Sequence, residues 1–401
     1  MISVEEARAR ILAALRPIPA ETVALADAWN RVVAEPVIAR LTQPPADLSA
    51  MDGYALRSED GALGARLHLI GAAPAGHPFV GSVGSGQIVR LFTGSVVPDG
   101  ADAILLQEDA SRDGDIVQVN EAVTAGRHIR RAGQDFSRGE TVVPSGRRMT
   151  ARDVGLAAAA NNPWIIVHRR PRIGILATGD EIAMPGDPIP NGGIVSSNSH
   201  ALAALVRANG GEPTILPIAR DTTTAIAAVA DAVGGLDMLV TTGGASVGDH
   251  DLVVSGLKTR GLTLDFWQIA MRPGKPLLYG RLGAVPVLGL PGNPVSAMVC
   301  ALLFLGPALA RLSGLPAAAP PVSTAILAAP VKANDHRADH LRATVRLAED
   351  GRVMATPFPV QDSAMLRRLA LADALILRAP HAPALPEGAE VPVIRLDSFG
   401  I

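Results

Sequence analysis

The sequence predicts an α/β and β multidomain protein centred on a three-layer α/β domain with a mostly parallel sheet. From Arg172 to the helix after Pro294, short apolar runs alternate with helical stretches, the pattern of βαβ units covering a sheet on both faces. From about Asp60 to Pro144, and again over Thr324–Leu396, the texture is short β-like runs broken by Gly, Asp and Pro, which predicts small β units. With 401 residues, 48% hydrophobic and 18% charged, the chain can bury several cores, and length alone predicts roughly two to four domains.

These textures divide the chain into three regions. Residues 1–165 form an N-terminal region whose helical and linking parts, 1–58 and 146–165, flank an inserted β-rich domain at 59–145. Residues 170–314 form the α/β domain, and 322–401 a small C-terminal β-barrel-like domain.

Taken in order, Ser3 and Glu6 make a capping-box pattern ahead of Ile11, Leu12 and Leu15, and a second helical stretch is expected near Leu25–Val33. Leu67–Ile70, Ile104–Leu106 and Ile116–Val119 read as strands of the inserted domain. Thr150–Ala160 is helical, ending at Asn161-Asn162-Pro163. The α/β domain then runs strand Arg172–Ala177, loop Thr178–Gly193, helix Ala201–Ala208, strand Thr214–Ile218, helix Thr223–Val233, strand Met238–Thr242 and helix Leu252–Thr259. Leu277–Gly280 and Val285–Leu288 continue the sheet. Pro294–Leu309 is nearly long enough to suggest a membrane span, but Gly306-Pro307 breaks it and it lacks the ~20 apolar residues required, so it reads as a core helix. Ala-Pro-rich Leu315–Val322 is the linker candidate. Ala325–Leu327, Leu341–Leu347, Arg352–Thr356, Ala374–Leu377 and Glu390–Ile394 are the expected strands of the last domain. No internal repeat is visible.

Charge and composition narrow the function. Lys+Arg 36 against Asp+Glu 38 gives a net charge of −2, so no global basic field draws nucleic acid. Aromatic content of 3% also disfavours base-stacking platforms. The one cysteine, Cys300, lies inside an apolar run and reads as a buried structural thiol. Glu5, Glu6, Arg8 and Arg10 interrupt any signal pattern at the N-terminus, so a cytoplasmic location is expected, without a membrane or nucleic-acid partner.

The chemistry concentrates in Gly243–Asp251, Arg272–Pro276 and Leu290–Ser296. These Gly- and Pro-rich loops lie beside strand-like runs. Loops at strand ends let backbone amides approach an anion. Thr178-Gly179-Asp180-Glu181 brings two carboxylates to a strand end; one acid there is ordinarily an N-cap, but two acids facing Asp249 and Asp251 suit a hard cation such as Mg²⁺ beside phosphate. Lys275 is held between prolines as a point charge, and the Leu-Pro-Gly-Asn-Pro turn is expected to direct free amides and a positive dipole end outward. Met51–Ala55, Gly94–Pro98, Gly100–Ala103 and Ile129–Asp135 each read alone as turns.

Met51–Ala55, Phe92-Thr93-Gly94 through Glu108, Ile129–Asp135, Thr178–Glu181, Gly243–Asp251, Pro273–Pro276 and Leu290–Ala297 resemble, in order and over nearly the whole chain, the signatures of the molybdopterin molybdenumtransferase family of bacterial MoeA and the gephyrin E domain. The resemblance implies a four-part subunit and a homodimer with its active site between subunits. It also implies molybdate and adenylylated molybdopterin as substrates, AMP release assisted by Mg²⁺, and a molybdopterin adenylyltransferase as upstream donor. Asp52 and Asp135 would be acids contributed across the dimer cleft. Glu181, Asp221 and Asp251 would be acids of the α/β domain, with Glu181 and Asp251 as metal ligands and Lys275 completing the catalytic set. Substrate would be held by Thr93, Gly94, Thr178, Gly179, Asp180, Ser197, Asn198, Gly243, Gly244, Ser246, Gly248 and Asp249. Lys275, Pro291 and Pro294 would form the opposite wall, and Arg272, Pro273, Gly274, Gly292, Asn293 and Ser296 would also bind substrate.

The chain departs from the family pattern at several points. Ala46-Asp47-Leu48-Ser49 replaces Phe-Asp-Asn-Ser, and Ser196 stands where an acid is usual. Gln268 stands where a lysine is common, and Arg272 replaces a lysine, keeping its charge. The losses at Ser196 and Gln268 favour an alternative, a noncatalytic paralogue that carries or regulates molybdopterin. Receptor scaffolding of the gephyrin type is disfavoured because no appended domain or long linker is present.

Overall fold

A computed structural model describes residues 1–243, 252–316 and 319–397. The chain forms two compact units, one of residues 1–21, 30–34 and 166–401, the other of 22–29 and 35–165.

The first unit begins with helix α1 (Val4–Ala14), whose Ser3 side chain accepts from Glu6 N at 3.0 Å. The Glu6 carboxylate does not complete the expected capping box with Ser3; it pairs with Arg10 at 2.6 Å, one turn along.

The second unit holds a six-stranded sheet of β1 (Gly53–Leu56), β2 (Arg66–Ala73), β3 (Gln87–Leu91), β4 (Ala103–Leu106), β5 (Ala110–Asp113) and β6 (Ile116–Val119), in the order β4-β1-β3-β2-β6-β5. The sheet thus takes in Gly53–Leu56, ahead of the expected start at 59. Alternate residues feed two cores: Tyr54, Leu56, Leu67, Ile88 and Leu105 on one face, and Ala55, Val89, Leu91 and Ile104 on the other. Helix α2 (Ala151–Ala159) starts on a full capping box between Thr150 and Asp153. The expected helix at Leu25–Val33 reduces to one 3₁₀ turn, Leu25–Asp27; Asn30 at φ 61° breaks helical geometry.

In the first unit the chain continues through β7 (Arg172–Ala177), α3 (Asn198–Ala208), β8 (Glu212–Ile215), α4 (Thr223–Val229), β9 (Met238–Thr242) and α5 (Leu252–Lys258). Next come β10 (Leu262–Trp267), β11 (Leu278–Leu282), β12 (Val285–Leu290), α6 (Pro294–Cys300) and α7 (Gly306–Leu312). The sheet order is β8-β7-β9-β12-β11-β10, with β8, β7, β9 and β12 parallel and the last two strands antiparallel. Ile173, Ile175, Met238, Val240 and Leu288 pack with α1, α3, α6 and α7. Leu176, Leu239 and Val287 pack with Ile226, Val253 and Leu257 of α4 and α5 on the other face. These two faces make the expected three layers.

Pro307 does not end the core helix. A proline cannot donate to the carbonyl four residues back, and the ladder widens to a π turn over Ala301–Leu305 just before it. The helix then continues to Leu312, and an 18-residue window within it is 83% buried. Cys300 lies wholly inside, its thiol pKa pushed up by burial.

Five strands complete the first unit: β13 (Ser323–Leu327), β14 (Ala338–Leu347), β15 (Val353–Pro357), β16 (Ala374–Arg378) and β17 (Glu390–Arg395). They follow the order β14-β15-β13-β17-β16, and β16 pairs back onto β14 to close a barrel. A short helix, α8 (Leu366–Ala370), precedes β16. Met271-Arg272 pairs parallel with β14, and Leu369, Leu375 and Ile394 belong to the same core as α6 and α7, so the barrel and the α/β layers share one interior.

Candidate active site

The α/β sheet reverses its winding at β7: β8 lies on one side and β9 on the other. Loops at the carboxyl ends of strands flanking such a switch point leave a crevice for ligands. A cavity of about 680 Å³ opens there, lined by Ala177 and Glu181 after β7, Thr242 and Gly243 after β9, and Pro291, Gly292, Asn293, Pro294 and Ser296 after β12. Ile182, Ile194 and Val195 form an apolar side, Ser196, Ser197 and Asn198 lead into α3, and Pro276, Ala364 and Leu366 complete the lining. Four of the predicted loops, Thr178–Glu181, Gly243–Asp251, Arg272–Pro276 and Leu290–Ser296, therefore each place at least one residue on the cavity.

Asn198 ties the end of β9 to the loop after β12. Its Nδ2 donates to Thr242 Oγ1 at 2.8 Å and to Gly292 O at 2.7 Å, while Thr242 Oγ1 donates to Pro291 O at 3.2 Å. Gly243, at φ +92°, approaches Thr178 so closely that a Cβ would lie 2.6 Å from its carbonyl oxygen. Thr178 is buried, and its Oγ1 has no partner among the described residues.

Of the described acids expected here, Glu181 lines the cavity, whereas Asp180 and Asp221 do not. Gly179 has φ +145°, and a Cβ there would lie 2.6 Å from Glu181 Oε2, so only glycine lets the Glu181 carboxylate fold back over it. Asp180 Oδ1 accepts from Asp221 N at 3.2 Å, joining the loops after β7 and β8. Among the described residues no three His, Cys, Asp or Glu side chains form a metal cage. Mg²⁺ needs no such cage, since it uses one or two carboxylates with water and phosphate, and an exposed Glu181 on the cavity edge fits that role. Gly244, Ser246, Gly248, Asp249 and Asp251 lie outside the described residues.

At the start of α6, Asn293 Nδ2 donates to Ser363 Oγ at 2.8 Å and Val295 N to Ser363 O at 3.0 Å. The turn therefore offers fewer free amides than expected: Pro294 has no N–H and that of Val295 is occupied. The Arg272–Pro276 loop divides. Pro276 lines the cavity, whereas Arg272, Pro273, Gly274 and Lys275 do not. Arg272 binds Asp339 with two nitrogens, Nε to Oδ1 at 2.6 Å and Nη2 to Oδ2, which raises the guanidinium pKa further. Gly274, at φ +113°, packs against Cys300, where a Cβ would lie 2.4 Å from Sγ. Lys275 is half-buried and forms no ion pair among the described residues.

Within the second unit, Asp52, Thr93 and Gly94 gather where β1 begins and β3 ends. Asp52 Oδ1 accepts from Thr93 N at 2.7 Å and Thr93 Oγ1 at 2.8 Å, and these bonds hold its carboxyl below the usual range. Beside them Arg90 lies 4.9 Å from the Tyr54 ring and 5.2 Å from the Phe92 ring and donates to Gly53 O at 3.3 Å. Sequence reasoning passed over Arg90; its place two residues before Phe92 on an alternating strand was the available signal. Asp135 is exposed, its loop held by Asp135 N donating to Gln43 O at 3.1 Å. No bond joins it to Asp52 among the described residues. Asp47 pairs with Arg131 at 2.6 Å.

Three family models tile the sequence: the MoeA N-terminal region, domains I and II, over residues 2–161, a probable molybdopterin binding domain over 174–311, and the MoeA C-terminal region, domain IV, over 324–396. A molybdopterin molybdenumtransferase of Haemophilus influenzae is 33% identical over 88% of this chain and 88% of its own length. That of Bacillus subtilis is 30% identical over 94% and 90%. A solved MoeA molybdopterin biosynthesis protein of Pyrococcus horikoshii superposes with a TM-score of 0.86 at 28% identity, covering 98% of this chain and 99% of that one. The chain belongs to the molybdopterin molybdenumtransferase family. It is accordingly a transferase of molybdenum-cofactor biosynthesis.

Its departures from the family pattern differ in position. Ser196 lines the cavity and is buried, its hydroxyl donating to Ser199 Oγ at 3.1 Å. Gln268 is absent from the lining and occupies left-handed backbone at φ +79°. Of these two, Ser196 alone lines the cavity among the described residues.

Proposed function

We propose that this molybdopterin molybdenumtransferase takes adenylylated molybdopterin and molybdate, inserts molybdenum into the dithiolene and releases AMP in an Mg²⁺-dependent reaction. The observation that carries the reading is the switch-point cavity, where an apolar side of Ile182, Ile194 and Val195 faces polar strand-end loops. A flat heterocycle suits the apolar side, and its phosphate and molybdate oxyanions suit the polar strand-end loops away from Asn198.

Glu181, with Asp251, would hold the metal, which supplies charge compensation for the departing AMP phosphate. Asp180, Asp221 and Lys275, which are not part of the cavity lining, would add further charged contacts in this reading. The protein acts as a cytoplasmic homodimer in this reading, with Asp52, Thr93 and Asp135 brought to the cavity from the second subunit and a molybdopterin adenylyltransferase supplying substrate. Uncharged Ser196 on the lining favours one second reading, a carrier that binds the nucleotide without turnover.

The test is reconstitution of purified protein with adenylylated molybdopterin, molybdate and Mg²⁺. AMP release with activation of an apo-molybdoenzyme is expected. Tight binding without AMP release would establish the carrier instead.

A further inference from the structure

We propose that Asn198 is a specificity-determining residue whose Oδ1 accepts a hydrogen bond from the exocyclic amine of the heterocycle held in the cavity. This rests on the nucleotide-pterin reading above. Asn198 lines the cavity, and its amide orientation is fixed by chemistry. Gly292 O, 2.7 Å from Nδ2, can only accept, so the side-chain NH₂ faces it. Thr242 Oγ1 gives its proton to Pro291 O and accepts the second Asn198 proton at 2.8 Å. Both donors are thereby used within the protein. What remains for a ligand is Oδ1, which receives no hydrogen bond from the described residues.

An acceptor of this kind repels phosphate and molybdate oxygens and rewards an N–H group. It divides the cavity chemically, with the ring amine at the α3 side and the oxyanions elsewhere. The substrate carries two such amines, one on the pterin and one on adenine, and the shared chemistry is an amine projecting from a flat ring.

Calorimetric titration of wild-type protein with two ligand pairs distinguishes them: pterin against lumazine, which has oxygen in place of the amine, and AMP against purine riboside 5′-monophosphate, which lacks it. One pair is expected to show about tenfold weaker binding without the amine, identifying which ring is read. In Asn198→Ala that ratio should fall to about one. Thr242→Val breaks the clamp but leaves Oδ1, and should keep the ratio while weakening both ligands.

A wild-type ratio near one for both pairs overturns the inference, as does a ratio that survives Asn198→Ala or vanishes equally in Thr242→Val. The first outcome needs no variant to fold. If wild-type protein binds no ring at all, the functional reading fails and this inference with it. Ring binding without amine preference sinks the inference alone.

Discussion

Gly274→Ala tests whether the glycine of the Pro-Gly-Lys-Pro loop serves packing. Its φ of +113° and the 2.4 Å separation between an added Cβ and Cys300 Sγ define two separable penalties. Backbone strain at such an angle costs about 1–3 kcal/mol. The contact is ~1 Å inside normal carbon packing distance, and overpacking of this kind costs a further ~1–3 kcal/mol, for a total near 4 kcal/mol. Cys300→Ala removes the sulfur and alone should cost about 1–2 kcal/mol. In the double variant the clash is gone but the strain stays, so the sum of the single losses should exceed the double loss by about 2 kcal/mol. Equilibrium urea unfolding of the four proteins measures this. Additivity to within ~0.5 kcal/mol would refute the packing account and return Gly274 to substrate binding.

Gly179→Ala should displace the Glu181 carboxylate and raise the Mg²⁺ concentration needed for half-maximal AMP release; an unchanged Mg²⁺ dependence would detach Glu181 from the metal. Thr93→Val removes a hydroxyl bond that lowers the Asp52 pKa; that pKa rises, so the acid limb of the pH–rate profile should move to higher pH. Burial lowers the His340 pKa to about 4 from the ordinary 6.5. The folded state therefore binds fewer protons than the unfolded state between these values, and stability present above pH 6.5 is lost as pH falls toward 4, on the order of 3 kcal/mol. His340→Gln should flatten that part of a stability-versus-pH curve, and an identical slope would assign the loss to other groups.

The strands buried on both faces were the legible part, because their apolar runs need no long-range information: Met238–Thr242 and Arg172–Ala177 stand where expected. Trp164–His168 and Leu262–Trp267 were missed: Thr263 and Asp265 interrupt the second so that no apolar run stands out, whereas the first does carry a run, Trp164–Val167, but only four residues long and directly after the Asn161-Asn162-Pro163 stop. Pro307 misled because a π turn repairs the helix in a way that composition does not signal. At the site, the grouping of strand-end loops was readable, but individual roles were not. Arg272 looked like an oxyanion ligand, and its partner Asp339 lies in another domain, far along the chain. Asn198 sat in a motif, yet only geometry reveals that both of its protons are already engaged.

Ser363 ties Asn293 and Val295 from across the barrel boundary. The seams visible in the sequence are thus not seams of function. An α/β fragment ending before the barrel would lose part of its shared core, the anchor on its helix entrance and the Ala364 and Leu366 side of its cavity. Inheritance or exchange of the α/β segment alone would transfer a scaffold without the finished site, so the barrel and the sheet must travel together.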